Sequence, residues 1–280
     1  VIVLSGLGLI FGLWLAFSEK RLAVKEDPRV EKVEEVLPGS NCGACGYPGC
    51  SGLAKAIVEG KEPPSRCPVG GDEAAKRIGD ILGIEVEAEE RKLAVLRCNG
   101  GNQRAKDKYE YRGIETCQAA SLLGYGQKAC DYACLGFGDC AQACPFDAIT
   151  MSEEGLPIID AEKCAGCGIC VEICPKDVLE LISRSQTIYV ACNSTDAGRS
   201  VRKICKGGCI ACKLCEKVCP VDAIHVEDNL ARIDPEKCTA CGKCVEKCPT
   251  NVIIDLRERI KDQKVSSGSG SSTADENTSS

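Results

Sequence analysis

The cysteines of this chain are grouped in tight runs whose spacing suits a metal cluster. The sequence holds 24 cysteines among 280 residues, with a single histidine. In the pattern CxxCxxCxxxCP, the first three thiolates lie in one turn and bind one iron–sulfur cubane, while the fourth, next to proline, binds a neighbouring cubane. Three runs follow this pattern and predict 4Fe–4S clusters: Cys164, Cys167, Cys170 and Cys174; Cys209, Cys212, Cys215 and Cys219; and Cys238, Cys241, Cys244 and Cys248.

An internal repeat assigns these cysteines to clusters in pairs. The stretch that begins at Cys144 matches the stretch that begins at Cys219, 75 residues later, nearly position for position. Each resembles a bacterial ferredoxin module, in which the last cysteine of one run completes the other cluster. The expected ligand sets are Cys209, Cys212, Cys215 and Cys248; Cys238, Cys241, Cys244 and Cys219; Cys164, Cys167, Cys170 and Cys144; and Cys130, Cys134, Cys140 and Cys174. The last set is irregular, because CDYACLGFGDCAQACP separates its first three cysteines by three and five residues.

A separate unit near the N-terminus carries the motif NCGACGYPGC, followed by RCPVGG. It supplies Cys42, Cys45, Cys50 and Cys67. Four thiolates at such spacing suit either structural zinc or a cubane. The runs in the rest of the chain favour a cubane here, which makes five predicted clusters.

Four cysteines remain, namely Cys98, Cys117, Cys192 and Cys205. They could be buried small apolar residues. Their context suggests more, because LAVLRC and TIYVAC both read as short strands that end in cysteine. Each is followed by a helix-like segment with a second cysteine, ETCQAASLL or AGRSVRKIC. We therefore expect a sixth cluster, to which the two halves of the repeat contribute two cysteines each.

Other uses of these cysteines fit the sequence less well. Disulfides form in oxidising compartments and do not call for such runs. Zinc sites favour isolated CxxC pairs at long separation. The formal net charge is −6, and thiolate-bound cubanes would make the protein more acidic still. Nucleic-acid binding requires a basic face and is not expected. The chemistry is one-electron transfer, which needs no nucleophile or general base.

The first 17 residues, VIVLSGLGLIFGLWLAF, are apolar and uncharged. This length is at the lower limit for a helix that spans a bilayer. A signal peptide is the alternative, but positive charge before the run and a small-residue cleavage site after it are missing. Lys20, Arg21 and Lys25 follow the run. The positive-inside rule then places the rest of the chain on the cytoplasmic side of the cell membrane, where thiols stay reduced.

The predicted fold class is α+β, in which short strands and helices hold the cysteines of two tandem ferredoxin modules. The expected divisions are a transmembrane anchor (1–21), a linker (22–37), a four-Cys 4Fe–4S domain (38–71), a helical connector (72–92), ferredoxin module 1 with a strand–helix insert (93–185), ferredoxin module 2 with a similar insert (186–258) and a disordered polar tail (259–280).

These motifs resemble the B subunit of the Rnf complex, the membrane-bound ferredoxin:NAD+ oxidoreductase that couples electron flow to Na+ or H+ transport. The likeness covers nearly the whole chain, and CLGFGDC and the first four-Cys unit distinguish it from a generic polyferredoxin. It implies an electron-transfer subunit of a translocase that takes electrons from reduced ferredoxin and passes them to the membrane and peripheral subunits. Flavin and NAD sites would lie on other subunits, so this chain alone would carry out no substrate chemistry.

Because ferredoxin is acidic, its docking site should be locally basic. A run of basic residues without an intervening acid is the candidate: Arg199, Arg202, Lys203, Lys206 and Lys213. A solvated helix face is the other interpretation of this run. Alternatives for the whole protein are a ferredoxin-type subunit of another membrane enzyme such as a hydrogenase, a polyferredoxin carrier, and a structural zinc protein.

Overall fold

The computed structural model describes residues 2–22, 27–86 and 90–260. The chain divides into two compact units, Val1–Glu87 and Ala88–Ser280. The boundary falls inside the predicted helical connector. The predicted disordered tail (259–280) lies outside the described residues except for its first two positions.

The first unit is helical. Its helices are α1 (Ile2–Leu22), α2 (Pro28–Val36), α3 (Cys50–Val58), a 3-10 turn (Pro64–Arg66) and α4 (Gly71–Leu82). The Asp27 side chain caps α2 by accepting a hydrogen bond from the Arg29 N–H at 2.9 Å, as residues before a helix-starting proline commonly do. A small core of Val33, Leu53 and Ile78 joins α2, α3 and α4 beside Cys67.

Helix α1 carries large apolar side chains that are exposed, among them Phe11, Trp14 and Phe17. Within the described part of the chain, no helix combines the length and the apolar character needed to cross a membrane. The transmembrane anchor predicted for residues 1–21 is therefore not confirmed.

The second unit consists of two halves with the same strand order. The first half contains β1 (Lys92–Leu96), α5 (Gly101–Arg104), α6 (Cys117–Ser121), α7 (Asp139–Gln142), β2 (Ile149–Met151), β3 (Pro157–Ile159), α8 (Ile169–Glu172) and β4 (Leu179–Ser183). The second contains β5 (Ile188–Val190), α9 (Gly198–Ile204), α10 (Leu214–Val218), β6 (Ile224–Glu227), β7 (Leu230–Ile233), α11 (Lys243–Lys247) and β8 (Ile253–Asp255). In each half the outer strands pair antiparallel, β1 with β4 and β5 with β8, and the middle strands form a hairpin.

The helices that present cysteines are short for a local reason. Helix α10 ends just before Cys219, and α11 ends just before Cys248; both cysteines have extended backbones and precede a proline. A residue before proline is excluded from helical conformation by contact with the proline ring. The Cys-Pro pairs of these two cluster motifs therefore also end α10 and α11.

The two halves exchange reciprocal hydrogen bonds. The Asn99 side-chain amide donates to Asn251 O at 3.0 Å, and the Asn193 amide donates to Asp177 O at 3.2 Å. Between the halves the main chain forms one antiparallel bridge, where Lys106 N bonds Ile204 O at 2.8 Å and Lys206 N bonds Arg104 O at 2.8 Å. The halves are thus related by an approximate internal two-fold, with the residues after β1 and β5 at their interface.

Gly166 gives a prediction about the packing of the first half. It has φ +67°, and a Cβ there would lie 2.4 Å from Lys92 O. In the second half the equivalent position is Ala240, at φ 52°, so the conformation alone tolerates alanine. Gly166→Ala is expected to lower the stability of the iron-loaded protein by about 3 kcal/mol, because the β1 carbonyl must move.

The measurement is the thermal unfolding midpoint of anaerobic protein, together with its iron content. Ala240→Gly is the matched control and should change the stability by about 1 kcal/mol or less, since the entropy that glycine adds to the unfolded chain is opposed by relief of the left-handed conformation at φ 52°. Equal effects of the two substitutions would contradict the role assigned to the Lys92 carbonyl.

Candidate metal centres

The first cysteine cavity lies in the first half of the second unit. It is lined by Cys144, Cys164, Cys167 and Cys170. The pKa of Cys170 is raised to about 12, mainly by burial and also by the neighbouring thiols of Cys164 and Cys167. The structure thus brings together the four cysteines predicted as one ligand set. Helix α8 presents Cys170, and Gly168 at its N-terminus has φ 85°.

The second cavity of this half is lined by Cys117, Cys134, Cys140 and Cys174. Burial raises the pKa of Cys140 to about 11, with contributions from the thiols of Cys117 and Cys174. The predicted set contained Cys130 in the place that Cys117 occupies here. The irregular spacing in CLGFGDC explains why Cys117 takes this place. The motif has no third cysteine in its turn, and Cys117 on α6 lines the cavity instead.

Cys130 lies elsewhere, with the thiols of Cys98, Cys192 and Cys205. The pKa of Cys130 is raised to about 12, mainly by burial and also by charge on those three thiols. This neighbourhood differs in one member from the predicted grouping of Cys98, Cys117, Cys192 and Cys205. The internal repeat does indicate that Cys130 is equivalent to Cys205, because Cys130 precedes Cys134 by four residues, just as Cys205 precedes Cys209.

The second half keeps its predicted neighbours. Burial raises the pKa of Cys215 to about 11, and the thiols of Cys209, Cys212 and Cys248 add to the shift. Burial likewise raises the pKa of Cys244 to about 11, with Cys238 and Cys241 adding to it. Cys219, the predicted fourth member beside Cys244, packs in the same core, which the second-half strands enclose.

The N-terminal four-Cys unit is arranged around Cys67. Burial raises the pKa of this thiol, and the thiols of Cys45 and Cys50 raise it further. The Gly70 N–H donates to Cys67 Sγ at 3.3 Å. Cys42, the remaining predicted member, is half-buried.

Backbone N–H groups point at several of the sulfurs. Ala148 N donates to Cys144 Sγ at 3.4 Å, and Ala223 N donates to Cys219 Sγ at 3.2 Å. Both donors follow a Cys-Pro-x-Asp turn whose aspartate has φ 47° or 53°, a left-handed conformation that Asp and Asn tolerate. Such N–H groups stabilise charge on cluster sulfur and help set the reduction potential.

The donor sets fit cubanes better than single ions. Across the described residues, no group of three or more His, Cys, Asp or Glu side chains is arranged to hold one metal ion. A zinc ion needs its thiolates at about 2.3 Å from a single centre, whereas a cubane binds each thiolate through a different iron. Cavities that are each lined by four buried or half-buried cysteines, with backbone N–H groups directed at sulfur, suit the second case.

Asp139 gives a prediction about the cavity that contains Cys117. Its buried carboxylate accepts hydrogen bonds from Cys117 N at 2.8 Å and Gln118 N at 3.2 Å. Asp139→Ala leaves both donors unsatisfied and is expected to cost about 2 kcal/mol and to release the iron of this cavity. Asp139→Asn keeps an oxygen acceptor and should retain the iron.

Iron content and the unfolding midpoint of the anaerobic protein check this. Asp131→Asn is a suitable control, because its exposed carboxylate forms an ion pair with Lys108, and such a pair contributes about 0.5 kcal/mol. Full iron content in Asp139→Ala would show that iron binding in the cavity of Cys117 does not depend on the hydrogen bonds to Asp139.

Known proteins match this chain over these same regions. A family model described as "Putative Fe-S cluster" matches residues 37–69. A second, described as "4Fe-4S dicluster domain", matches residues 129–178 and 208–252. The prediction of several 4Fe–4S clusters is thereby confirmed, while the individual ligand sets remain predictions.

Three curated relatives extend the match to most of the chain. The B subunit of the ion-translocating oxidoreductase complex of Methanosarcina acetivorans is 46% identical over 253 residues, which are 90% of this chain and 96% of the relative. The B subunit of the Na+-translocating ferredoxin:NAD+ oxidoreductase complex of Acetobacterium woodii is 46% identical over 90% of this chain and 75% of its own length.

The B subunit of the proton-translocating ferredoxin:NAD+ oxidoreductase complex of Clostridium ljungdahlii is 48% identical over 85% of this chain and 84% of its own length. All three agree with the resemblance that the cysteine motifs carry. At this identity, over 85% or more of this chain and 75% or more of each relative, the chain belongs to the family of B subunits of the ion-translocating oxidoreductase (Rnf) complex.

Proposed function

We propose that this chain accepts electrons from reduced ferredoxin and relays them to the other subunits of a membrane-bound, ion-translocating ferredoxin:NAD+ oxidoreductase. The observation that carries the proposal is the way neighbouring cavities share short elements. Cys140 and Cys144 lie at the two ends of one turn but line different cavities, as do Cys170 and Cys174. Sites joined in this way suit stepwise movement of single electrons.

The ligand sets we propose follow the cavities and thiol neighbours described above. They are Cys42, Cys45, Cys50 and Cys67; Cys117, Cys134, Cys140 and Cys174; Cys144, Cys164, Cys167 and Cys170; Cys209, Cys212, Cys215 and Cys248; and Cys219, Cys238, Cys241 and Cys244. When bound there, a 4Fe–4S cluster supplies a one-electron redox couple. The protein holds it, donates N–H groups to sulfur and keeps water away from the buried thiolates.

Docking of an acidic ferredoxin is supported by the basic run on and after α9. Arg199, Arg202, Lys203, Lys206 and Lys213 are all exposed. Among the described residues, only Lys213 of this run has an ion pair, with Glu216 at 3.9 Å. Exposed positive charge that is not already neutralised is available to steer a negative partner.

We place the chain on the cytoplasmic side of the cell membrane. The exposed apolar side chains of α1 suit contact with the membrane part of the complex. Fractionation of a variant without residues 1–21 tests this: the variant should leave the membrane fraction, whereas undiminished membrane association would assign attachment to the rest of the chain.

Anaerobic stopped-flow mixing with reduced ferredoxin tests the function. Reduced ferredoxin should be oxidised while the clusters of this chain are reduced, and the chain alone should not reduce NAD+. Arg202→Glu/Lys203→Glu should slow the reaction by about tenfold at low salt, since it reverses the steering charge. Lys32→Glu/Lys55→Glu, on exposed helix faces of the first unit, is the control with the same change in net charge.

Two outcomes would count against the proposal. A fully loaded chain that takes no electrons from ferredoxin would overturn the function. Equal rates for the two charge-reversed variants would instead leave ferredoxin as donor and make the basic run an ordinary solvated face.

A further inference from the structure

Large apolar side chains are exposed along one stretch of the second unit. Leu122 is 84% exposed, Ile114 72% and Tyr125 70%. Leu123 and Tyr109 are exposed as well. Single exposed apolar residues are ordinary, but a group of them on one segment indicates a surface that another molecule covers. We name it the Leu122 surface, and it consists of Tyr109, Ile114, Leu122, Leu123 and Tyr125.

Hydrogen bonds fix the backbone beneath the Leu122 surface. Tyr109 Oη donates to Leu123 O. Lys108 Nζ donates to Gly124 O at 2.7 Å. The next residue, Tyr125, has φ 65°, a left-handed conformation that is unfavourable for a bulky side chain and is kept only where the surroundings impose it. Because the backbone is already fixed, a partner that covers these side chains loses little of its binding energy to ordering them.

The Leu122 surface adjoins the cavity of Cys117. Helix α6 begins at Cys117, which lines that cavity, and ends at the residue before Leu122. Lys176 lines the same cavity. Its ammonium donates to Tyr125 O at 3.0 Å and lies 5.4 Å from the centroid of the Tyr125 ring. A protein that covers the surface therefore lies beside one of the proposed cluster sites.

The segment that carries the surface has no net charge. Residues 106–126 contain three basic and three acidic side chains. Arg112 pairs with Glu110 at 3.1 Å, and Lys108 pairs with Asp131 at 2.9 Å. Such a surface gives an acidic ferredoxin no electrostatic attraction, whereas an uncharged apolar protein face matches it and has few charges to desolvate on contact.

The two halves of the second unit differ at this place. In the second half Cys205 follows α9 directly, whereas in the first half residues 105–129 lie between α5 and Cys130. The stretch from 199 to 213 holds five basic residues and no acid. One half therefore presents a basic face suited to an acidic partner, and the other half presents an uncharged apolar face suited to a different one.

We propose that the Leu122 surface binds an uncharged, apolar protein face of the membrane part of the complex, and that electrons leave this chain there. The proposal rests on the electron-transfer function proposed above and adds the exit to it. Each transfer oxidises one reduced cluster of this chain by one electron and reduces a one-electron redox centre of the partner. No covalent bond is made or broken.

Leu122→Gln/Leu123→Gln tests the proposal, since it removes apolar contact without changing charge. Ile84→Gln/Ile158→Gln, at exposed apolar residues outside the segment, is the matched control. Two rates are measured without oxygen: cluster reduction in the purified full-length chain by reduced ferredoxin, and ferredoxin-dependent NAD+ reduction by the complete complex in membranes. The first rate should be unchanged in both variants. The second should fall by about tenfold in Leu122→Gln/Leu123→Gln alone.

Iron content equal to that of the wild type shows that a variant is folded. Where the double variant loses iron, Ile114→Gln carries the test, with an expected loss of NAD+ reduction of about threefold. Undiminished NAD+ reduction, or an equal loss in the control, would overturn the proposal.

Two other results would assign the surface to a different partner and also overturn the proposal. Slower cluster reduction by ferredoxin would make it the entry site. Weaker binding of the variant to protein-free phosphatidylcholine vesicles would make it a lipid contact. A wild-type chain that takes no electrons from ferredoxin would instead overturn the proposed function itself.

Discussion

Removal of iron from the intact chain is expected to unfold residues 90–260 while leaving helices α2 to α4 partly protected. Each of the two large cores of the second unit is built from twelve buried residues, of which five are cysteines. The core of the first unit contains one buried cysteine among seven. Where a binding site exists only in the folded state, the free energy of binding is also free energy of folding.

The experiment uses an iron chelator with a mild oxidant, followed by hydrogen exchange and mass spectrometry. Amides of β1 and β5 should lose protection, because these strands lie directly beside cysteine-rich cores. Amides of α3, which packs through Leu53 and Ile57, should lose less and serve as the internal control. Protected strands in the iron-free protein would mean that apolar packing alone holds the second unit.

Loss of the Asp107 carboxylate is expected to destabilise the protein more than loss of its partner, Lys128. The Lys128 side chain is only 2% exposed, and its ammonium contacts Asp107 Oδ1 at 2.9 Å and Asn102 Oδ1 at 2.9 Å. Asp107→Ala leaves a buried ammonium with one neutral partner and should cost about 3 kcal/mol. Lys128→Met fills similar space without charge and should cost less than about 1.5 kcal/mol.

The asymmetry follows from exposure. Asp107 is 52% exposed, so after Lys128→Met its carboxylate remains hydrated, whereas the Lys128 ammonium has little water to replace its partner. Adding Asp107→Ala to Lys128→Met should then change little. Unfolding midpoints of the four anaerobic proteins complete the double-mutant cycle. A larger loss for Lys128→Met than for Asp107→Ala would contradict the account.

Much of the cluster framework follows from cysteine spacing alone. The runs at Cys164, Cys209 and Cys238 predict their neighbours, because CxxCxxC confines three thiols to one turn. The strand-like sequences LAVL and IYV form β1 and β5, and the helix-like segments after them form α6 and α9. For these elements, local spacing and hydrophobic pattern are enough to predict the structure without knowledge of distant contacts.

The exchange of Cys117 and Cys130 shows where local pattern stops being sufficient. In the sequence pattern Cys117 corresponds to Cys205, because both lie on or beside a short helix after a strand. The segment between Ala105 and Cys130 has no counterpart in the second half. Its two ends are joined by an antiparallel bridge between Asp107 and Lys128. Tertiary contacts determine which cysteine of this segment lies in each cavity. One such contact is the hydrogen bond from Cys117 N to the Asp139 carboxylate.

The N-terminal segment shows a different limit. Its composition predicted a membrane span, and the helix is present as α1, but among the described residues no helix meets the length and apolarity for crossing a bilayer. Hydropathy reports the preference of side chains for an apolar surrounding. It does not distinguish a bilayer interior from contact with other membrane subunits.

Metal and sulfide analysis of the anaerobically purified chain, with EPR after reduction by dithionite, is the most direct test of the account. We expect iron and acid-labile sulfide in equal amounts, at about 20 or more of each per chain, with signals of interacting reduced 4Fe–4S clusters. Zinc with little iron or sulfide would contradict it, and the cysteines would then be ligands of a structural metal rather than of an electron path.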